Sequence, residues 1–153
     1  MRKPREIKEV TFKIGDLSMV PNIVKNSEPA DDLEERLTTW MKESDYCWVA
    51  FADGEAGCIW GLKIQNIILG HVYLWVHLTN IAKQNEVRFL RGAKKLIYVL
   101  AQRYRFINGH LDPKEPKAKR WIPWLGFTIG ETQEFELLTG QKMQANVFWM
   151  GER

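Results

Sequence analysis

His77 closes the run His71-Val72-Tyr73-Leu74-Trp75-Val76-His77-Leu78, on the side of the strand that also carries Tyr73 and Trp75. An imidazole near a strand end can take a proton from an amine, so His77 is the candidate general base. The plainer reading is a core histidine satisfied by hydrogen bonds. Glu131 and Glu134 are the alternative carboxylate bases. Cys47 and Cys58 flank an Asp53-Gly54 turn with no identifiable base. They read as buried, reduced thiols of a cytosolic protein, not as nucleophiles or a disulfide framework. His71 and His110 stand near opposite strand ends without a Cys or carboxylate at ligand spacing, so no metal site is expected.

Anion binding is the second chemistry. From Ile81 to Arg120 the chain carries eleven Lys and Arg against three acids, a net +8, while the remainder is −5. Arg88 and Arg91 fall in the first turn of the long helical pattern, with Lys94 and Lys95 behind them. Positive charge there opposes the helix dipole unless an anion sits with it. Lys114, Lys117, Lys119 and Arg120 form a second basic cluster. Together Arg88, Arg91, Lys95, Lys117, Lys119 and Arg120 would meet a coenzyme phosphate or a DNA backbone. The bland alternative is a solvated basic face. Trp121 and Trp124, three residues apart, read as core packing, with a stacking role as the sharper alternative. Trp40, Trp48, Trp60 and Trp75 also read as core.

The elements that position these residues follow from periodicity. Glu6 to Ile14 alternates and reads as a strand. Asp16 caps a short helix that Pro21 disturbs, and Leu33, Leu37, Trp40 and Met41 define one face of the next helix. Tyr46–Ala52 turns at Asp53-Gly54 into Cys58–Ile64, and His71–Leu78 follows. That last strand is apolar on both faces, which belongs mid-sheet under helices. Glu86 to Tyr104 is the long helix, with Phe89, Ala93, Leu96, Ile97, Leu100 and Tyr104 inward. Phe106–Leu111 is a strand, Ala118–Leu125 a helix, Phe127–Ile129 the start of a strand, Thr139-Gly140 a turn and Asn146–Met150 the last strand. The expected architecture is α/β (α+β), a single domain over residues 1–153. Its mostly antiparallel mixed sheet has about six or seven strands with helices on both faces.

Composition limits the alternatives. A chain of 153 residues, 45% hydrophobic with seven Trp and seven Phe, holds one sizeable core. Its apolar runs, Ile67-Ile68-Leu69 and the longer Tyr46–Ala52 among them, are far too short for a membrane span, and no apolar stretch follows the basic Met1–Arg5. Secretion and membrane insertion are not expected.

The segment Arg120-Trp121-Ile122-Pro123-Trp124-Leu125-Gly126-Phe127 resembles the Leu-Gly-Phe signature that ends the last helix of GCN5-related N-acetyltransferases, and the element order is similar to theirs. Phe89-Leu90-Arg91-Gly92-Ala93, Arg103-Tyr104, Asp112, and Arg120-Trp121 with Trp124-Leu125-Gly126-Phe127 resemble, more narrowly, the acetyltransferase-like internal virion or morphogenesis proteins of T7-like podophages. The resemblance covers Tyr46 to Phe127. It implies an acyl-CoA N-acyltransferase-like fold, with Arg88, Arg91, Gly92, Ala93 and Lys94 at the coenzyme pyrophosphate. It also exposes departures. Arg91 stands where the family's central glycine would be, Glu115 where its Asn would be, and Ile122 where its thiolate-protonating Tyr would be. These losses favour a catalytically degenerate, phage-encoded virion or assembly protein, in the virion or host cytoplasm, contacting phage structural proteins, host proteins or DNA. The alternative is an acetyl-CoA-dependent N-acetyltransferase with His77 or water as base; the third reading is a nucleic-acid-binding module. Acetyl-CoA is the one cofactor the resemblance implies.

Overall fold

A computed structural model describes residues 9–136 and 140–152. The strands are β1 (Val10–Ile14), β2 (Tyr46–Ala52), β3 (Glu55–Asn66), β4 (His71–Leu78), β5 (Phe106–Leu111), β6 (Thr128–Glu136) and β7 (Lys142–Gly151). The helices are α1 (Val20–Lys25), α2 (Leu33–Glu43), α3 (Asn80–Gln84), α4 (Glu86–Arg103) and α5 (Pro116–Trp124). The seven strands form one mixed sheet in the order β1-β2-β3-β4-β5-β7-β6. Only β4 and β5 pair in parallel among the registered ladders.

The chain divides into two compact units, residues 1–63 with 76–93 and residues 64–75 with 94–153. In the first, β1, β2 and β3 form an antiparallel meander. Asp53 (φ 48°) and Gly54 (φ 86°) take the two left-handed positions that a tight hairpin requires, which is why Asp-Gly marks it. Asp16 accepts from the Ser18 N–H and starts a 3-10 turn over Leu17–Met19. Pro21 does not disturb a helix here. It opens α1, where its missing N–H costs nothing. Leu33, Leu37 and Met41 are buried along α2 at the spacing of one helix face. The first strand begins at Val10 in the described residues, and the expected positions 6–8 lie outside them.

Two aromatic rings set the approach of α4 in this unit. Phe89 is fully buried, and a Cβ at Gly57 on β3 would lie 2.1 Å from its ring. A Cβ at Gly92 would lie 2.5 Å from the Phe12 ring on β1. Both glycines are therefore seats for rings. The rest of the expected inward stripe of α4 holds at Ala93, Ile97 and Leu100, whereas Leu96 and Tyr104 are half-buried.

In the second unit β5 pairs with β7, and β7 with β6, antiparallel. Ile107, Gly109 and Leu111 are buried on one side of β5. A Cβ at Gly109 would fall 2.3 Å from both the Leu74 carbonyl oxygen and the Phe148 ring. Gly126 ends the segment after α5 with φ 104°, the geometry behind the Gly of Leu-Gly-Phe. A bulge between Ile129 and Thr132 in β6 is held by Asn146, whose Nδ2 donates to the Gly130 carbonyl and to Thr132 Oγ1, each at 3.1 Å. Gly140 takes φ 84° in the expected turn; Thr139 lies outside the described residues.

Several tryptophans depart from the core assignment. Trp60 and Trp121 are buried, but Trp40, Trp48 and Trp75 are half-buried. Trp124 is 48% exposed, with the Lys94 ammonium 4.3 Å from its ring centroid. A proline-bearing helix of nine residues turns one tryptophan inward and the other to solvent.

Candidate functional site

The first unit brings together His77, the α1–α2 connection and the start of α4. Thr79, fully buried at the end of β4, donates its N–H to the Gly57 carbonyl at 2.9 Å, and its hydroxyl lies 2.7 Å from the same oxygen. The Asn80 N–H donates to the Asn26 carbonyl at 2.8 Å. Asn26 Nδ2 donates to Glu55 Oε2 at 2.9 Å, and Asn22 Oδ1 accepts from the Ala56 N–H at 2.8 Å. These bonds clamp the chain on both sides of the His77 position.

His77 is held by Ser27. Ser27, 6% exposed, lies with its Oγ 2.5 Å from the Ile23 carbonyl and 2.9 Å from His77 Nε2. A carbonyl only accepts, so the single Ser27 hydroxyl proton goes to Ile23. Ser27 Oγ must then accept from His77 Nε2–H, which leaves the basic lone pair of the neutral ring on Nδ1. Burial pushes the His77 pKa down to about 4, and the positive charges of Arg36 and Lys83 add to that. The ring is therefore neutral at physiological pH, with its tautomer fixed.

The segment before α4, which starts at Glu86 as expected, differs from the sequence expectation in one structural respect. Residues 80–84 form a short helix, α3, in which Lys83 N–H reaches the Thr79 carbonyl and Asn85 N–H the Ala82 carbonyl, each at 3.1 Å. Because α4 already begins at Glu86, Gly92, Ala93 and Lys94 lie beyond its first turn, where backbone N–H groups are committed to the helical ladder. Ala93 is buried and Gly92 faces Phe12. These two residues pack the helix. The amides open to an anion are one turn earlier. Phe89 N–H reaches the Asn85 carbonyl at a long 3.4 Å, and the N–H groups of Val87 and Arg88 belong to the first turn of α4, ahead of that helix's own i→i−4 ladder. Arg88 and Arg91, three apart, are both exposed. Arg91 lies one turn beyond Arg88, in the second turn of α4 and not in the first, where the sequence reading put it.

The remaining candidates are spread out. Lys95 is exposed on α4, and Lys117, Lys119 and Arg120 lie on α5. Ile122, in the place of the family's tyrosine, is buried, so α5 presents no phenol there. Glu131 is exposed on the β6 bulge, and Glu134 is exposed and paired with Lys142 at 3.5 Å. Neither carboxylate sits in an enclosed site. Cys47 and Cys58 are free and buried, and burial pushes the Cys58 thiol up to about 12. No cluster of metal-ligating side chains occurs among the described residues.

A feature that sequence reasoning missed lies in the second unit. Gln65, His71, Phe106, Asn108, His110, Gly130, Gln133, Val147, Trp149 and Gly151 line an open groove of about 720 Å³. The alternation Phe106, Asn108, His110 along β5, paired across to Val147 and Trp149 on β7, was its one signal in the sequence. Tyr73 Oη lies 3.2 Å from His110 Nδ1, and Phe135 packs edge-on to the imidazole at 5.0 Å. Burial pushes the Tyr73 phenol up and the His110 imidazole down.

No protein-family model matches the chain, and no curated protein matches it in sequence. Solved structures do. A chimera of the Vibrio cholerae spermidine N-acetyltransferase SpeG with hSSAT superposes with TM-score 0.68 at 13% identity, covering 92% of this chain and 94% of that one. The ribosomal L7/L12 α-N-protein acetyltransferase RimL, in complex with coenzyme A, gives 0.68 at 13% identity, covering 94% of each chain. A ribosomal-protein-S5-alanine acetyltransferase from Vibrio fischeri gives 0.67 at 12% identity, covering 95% of this chain and 94% of that one. Nothing in these comparisons links the chain to podophage virion proteins. At such identities the likeness is one of fold: the chain has the mixed seven-stranded architecture of the GCN5-related, acyl-CoA N-acyltransferase fold.

Proposed function

We propose that the chain is an acyl-CoA-dependent N-acyltransferase. The observation that carries this reading is the start of α4, where the first-turn backbone amides lie ahead of the helix's own ladder, with exposed Arg88 in that turn and exposed Arg91 in the next. Such a turn fits a pyrophosphate, because N–H groups and guanidinium charges converge at the positive end of the helix dipole. The fold supports it, since a neighbour of the same architecture holds coenzyme A. The substitution that argued for degeneracy, Arg91, is an exposed cation on the same helix, and on this reading it pairs with the phosphates.

On this reading the N–H groups of Val87 and Arg88, with the Arg88 and Arg91 side chains, hold the coenzyme pyrophosphate. Bound there, the coenzyme would supply an acyl group activated as a thioester. His77 takes the proton that the acceptor amine loses, at Nδ1, because Nε2–H is held on Ser27. Burial keeps that nitrogen unprotonated before the reaction and makes the imidazolium short-lived after it. Ile122 supplies no proton to the departing thiolate.

Release of free thiol from acetyl-CoA, followed against a panel of amines, tests the proposal. His77→Gln, which keeps an N–H for Ser27 and loses the base, should lower kcat about 10²–10⁴-fold while preserving coenzyme affinity. Turnover unchanged in His77→Gln would remove His77 from the chemistry. No turnover and no coenzyme binding by the wild-type protein would return the chain to the degenerate assembly reading.

A further inference from the structure

We propose that the groove of the second unit is a separate binding site for an uncharged purine-type base, as a free base or nucleoside. Three observations select this class of ligand. First, none of the ten lining residues is Asp, Glu, Lys or Arg, in a chain of which 27% is charged. A phosphate or a polyamine would find no counter-charge there, whereas a neutral ligand loses nothing by that.

Second, the walls are planar rings. Trp149 lies half-buried on β7, and the Gly130 position beside it carries no side chain, so that a Cβ there would come 3.1 Å from the indole. His71 and Phe106 pack 5.3 Å apart on the adjoining strands. Aromatic platforms of this kind bind any flat π-system by stacking.

Third, the polar groups are amides. Asn108 Nδ2 donates to Gln65 Oε1 at 2.8 Å. That pairing uses one donor of Asn108 and the carbonyl of Gln65. Among the described residues the Asn108 carbonyl oxygen and the Gln65 amino group have no further partner, an acceptor and a donor from one amide pair. Exchanging the two ends of both amides leaves the same inventory. Side-chain amides read purine edges because the base presents a matching donor and acceptor. An apolar ring such as indole offers no such edge. The volume of about 720 Å³ lies in the range of small-molecule sites.

Adenosine, AMP and indole are the probes, titrated by calorimetry into the full chain. Adenosine should bind saturably, indole more weakly, and AMP no more tightly than adenosine. Trp149→Ala should weaken adenosine at least about fivefold through lost stacking. Asn108→Ala should weaken adenosine but leave indole unchanged. Saturating coenzyme A should not displace adenosine, because the α4 turn and the groove share no residue; a failure of the acyltransferase reading therefore leaves this test intact. Circular dichroism melts establish that both variants fold. Any of four results overturns the proposal: no adenosine binding, AMP binding more tightly than adenosine, equal affinity for indole and adenosine, or displacement by coenzyme A. Concentration-dependent dimerisation abolished by Trp149→Ala would also overturn it, since the groove would then be covered by a second copy.

Discussion

Gly57→Ala should loosen the seat of α4. The Gly57 backbone is not among the left-handed positions, so alanine strains no dihedral and packing alone decides the outcome. The new Cβ would stand 2.1 Å from two atoms of the Phe89 ring. Carbon atoms in contact settle at about 3.5–4.0 Å, so the ring must retreat by roughly 1.5 Å. Phe89 is fully buried and has no slack to retreat into. Overpacking of this kind costs about 1–3 kcal/mol. For a chain of this length each kcal/mol lowers Tm by about 2–4 °C, which gives a fall of roughly 2–12 °C. Phe89→Leu supplies the control, because a smaller side chain opens space for the new methyl. The double variant should be less destabilised than the two singles added together, with a coupling of about 0.5–3 kcal/mol. Thermal melts of the four proteins provide the cycle. An unchanged Tm in Gly57→Ala, or strict additivity in the double variant, would refute the contact that places the first turn of α4.

Stability should fall as pH drops from about 6.5 toward about 4. The folded-state pKa of His77 is about 4, below its ordinary value, so in this window the unfolded chain binds the extra proton. The His77 contribution is complete above the unfolded pKa and is lost below the folded one. At about 1.4 kcal/mol per unit, it is at most about 3–4 kcal/mol. Urea melts across this window should show a shallower decline for His77→Gln; equal slopes would contradict the burial argument. Gly109→Ala should be among the most damaging single methyl additions, costing about 3 kcal/mol or more, because a backbone carbonyl blocks the Cβ and cannot swing aside. Soluble Gly109→Ala with a wild-type Tm would refute that packing. Native Cys58 should resist iodoacetamide at pH 8 and react only after unfolding, since burial holds its thiol protonated. Rapid labelling of the folded protein would show the strand to be open.

The strands Tyr46–Ala52, His71–Leu78 and Phe106–Leu111 were legible to the residue. Their apolar runs are bounded by punctuation, and Asp53-Gly54 specifies its own turn. The short helix Asn80–Gln84 was not legible, because five residues carry too little periodicity and its stability comes from Thr79 and Asn26 bonds made at long range. The resemblance makes Gly92 part of a phosphate cradle; in the fold its bare Cα accommodates Phe12 from a distant strand. Pattern matching sees a glycine; only the packed structure tells which neighbour needs it. His77 was identified as a candidate from strand position alone, but Ser27, fifty residues away, could not be connected to it without the fold.

Calorimetric titration of acetyl-CoA into the wild-type chain and into Arg88→Glu/Arg91→Glu tests the central claim most directly. Saturable wild-type binding should weaken at least about tenfold in the double variant, as reversed charge meets the pyrophosphate. Wild-type protein that takes up no acetyl-CoA, or a charge-reversed variant that binds it equally well, would contradict the assignment of the α4 first turn.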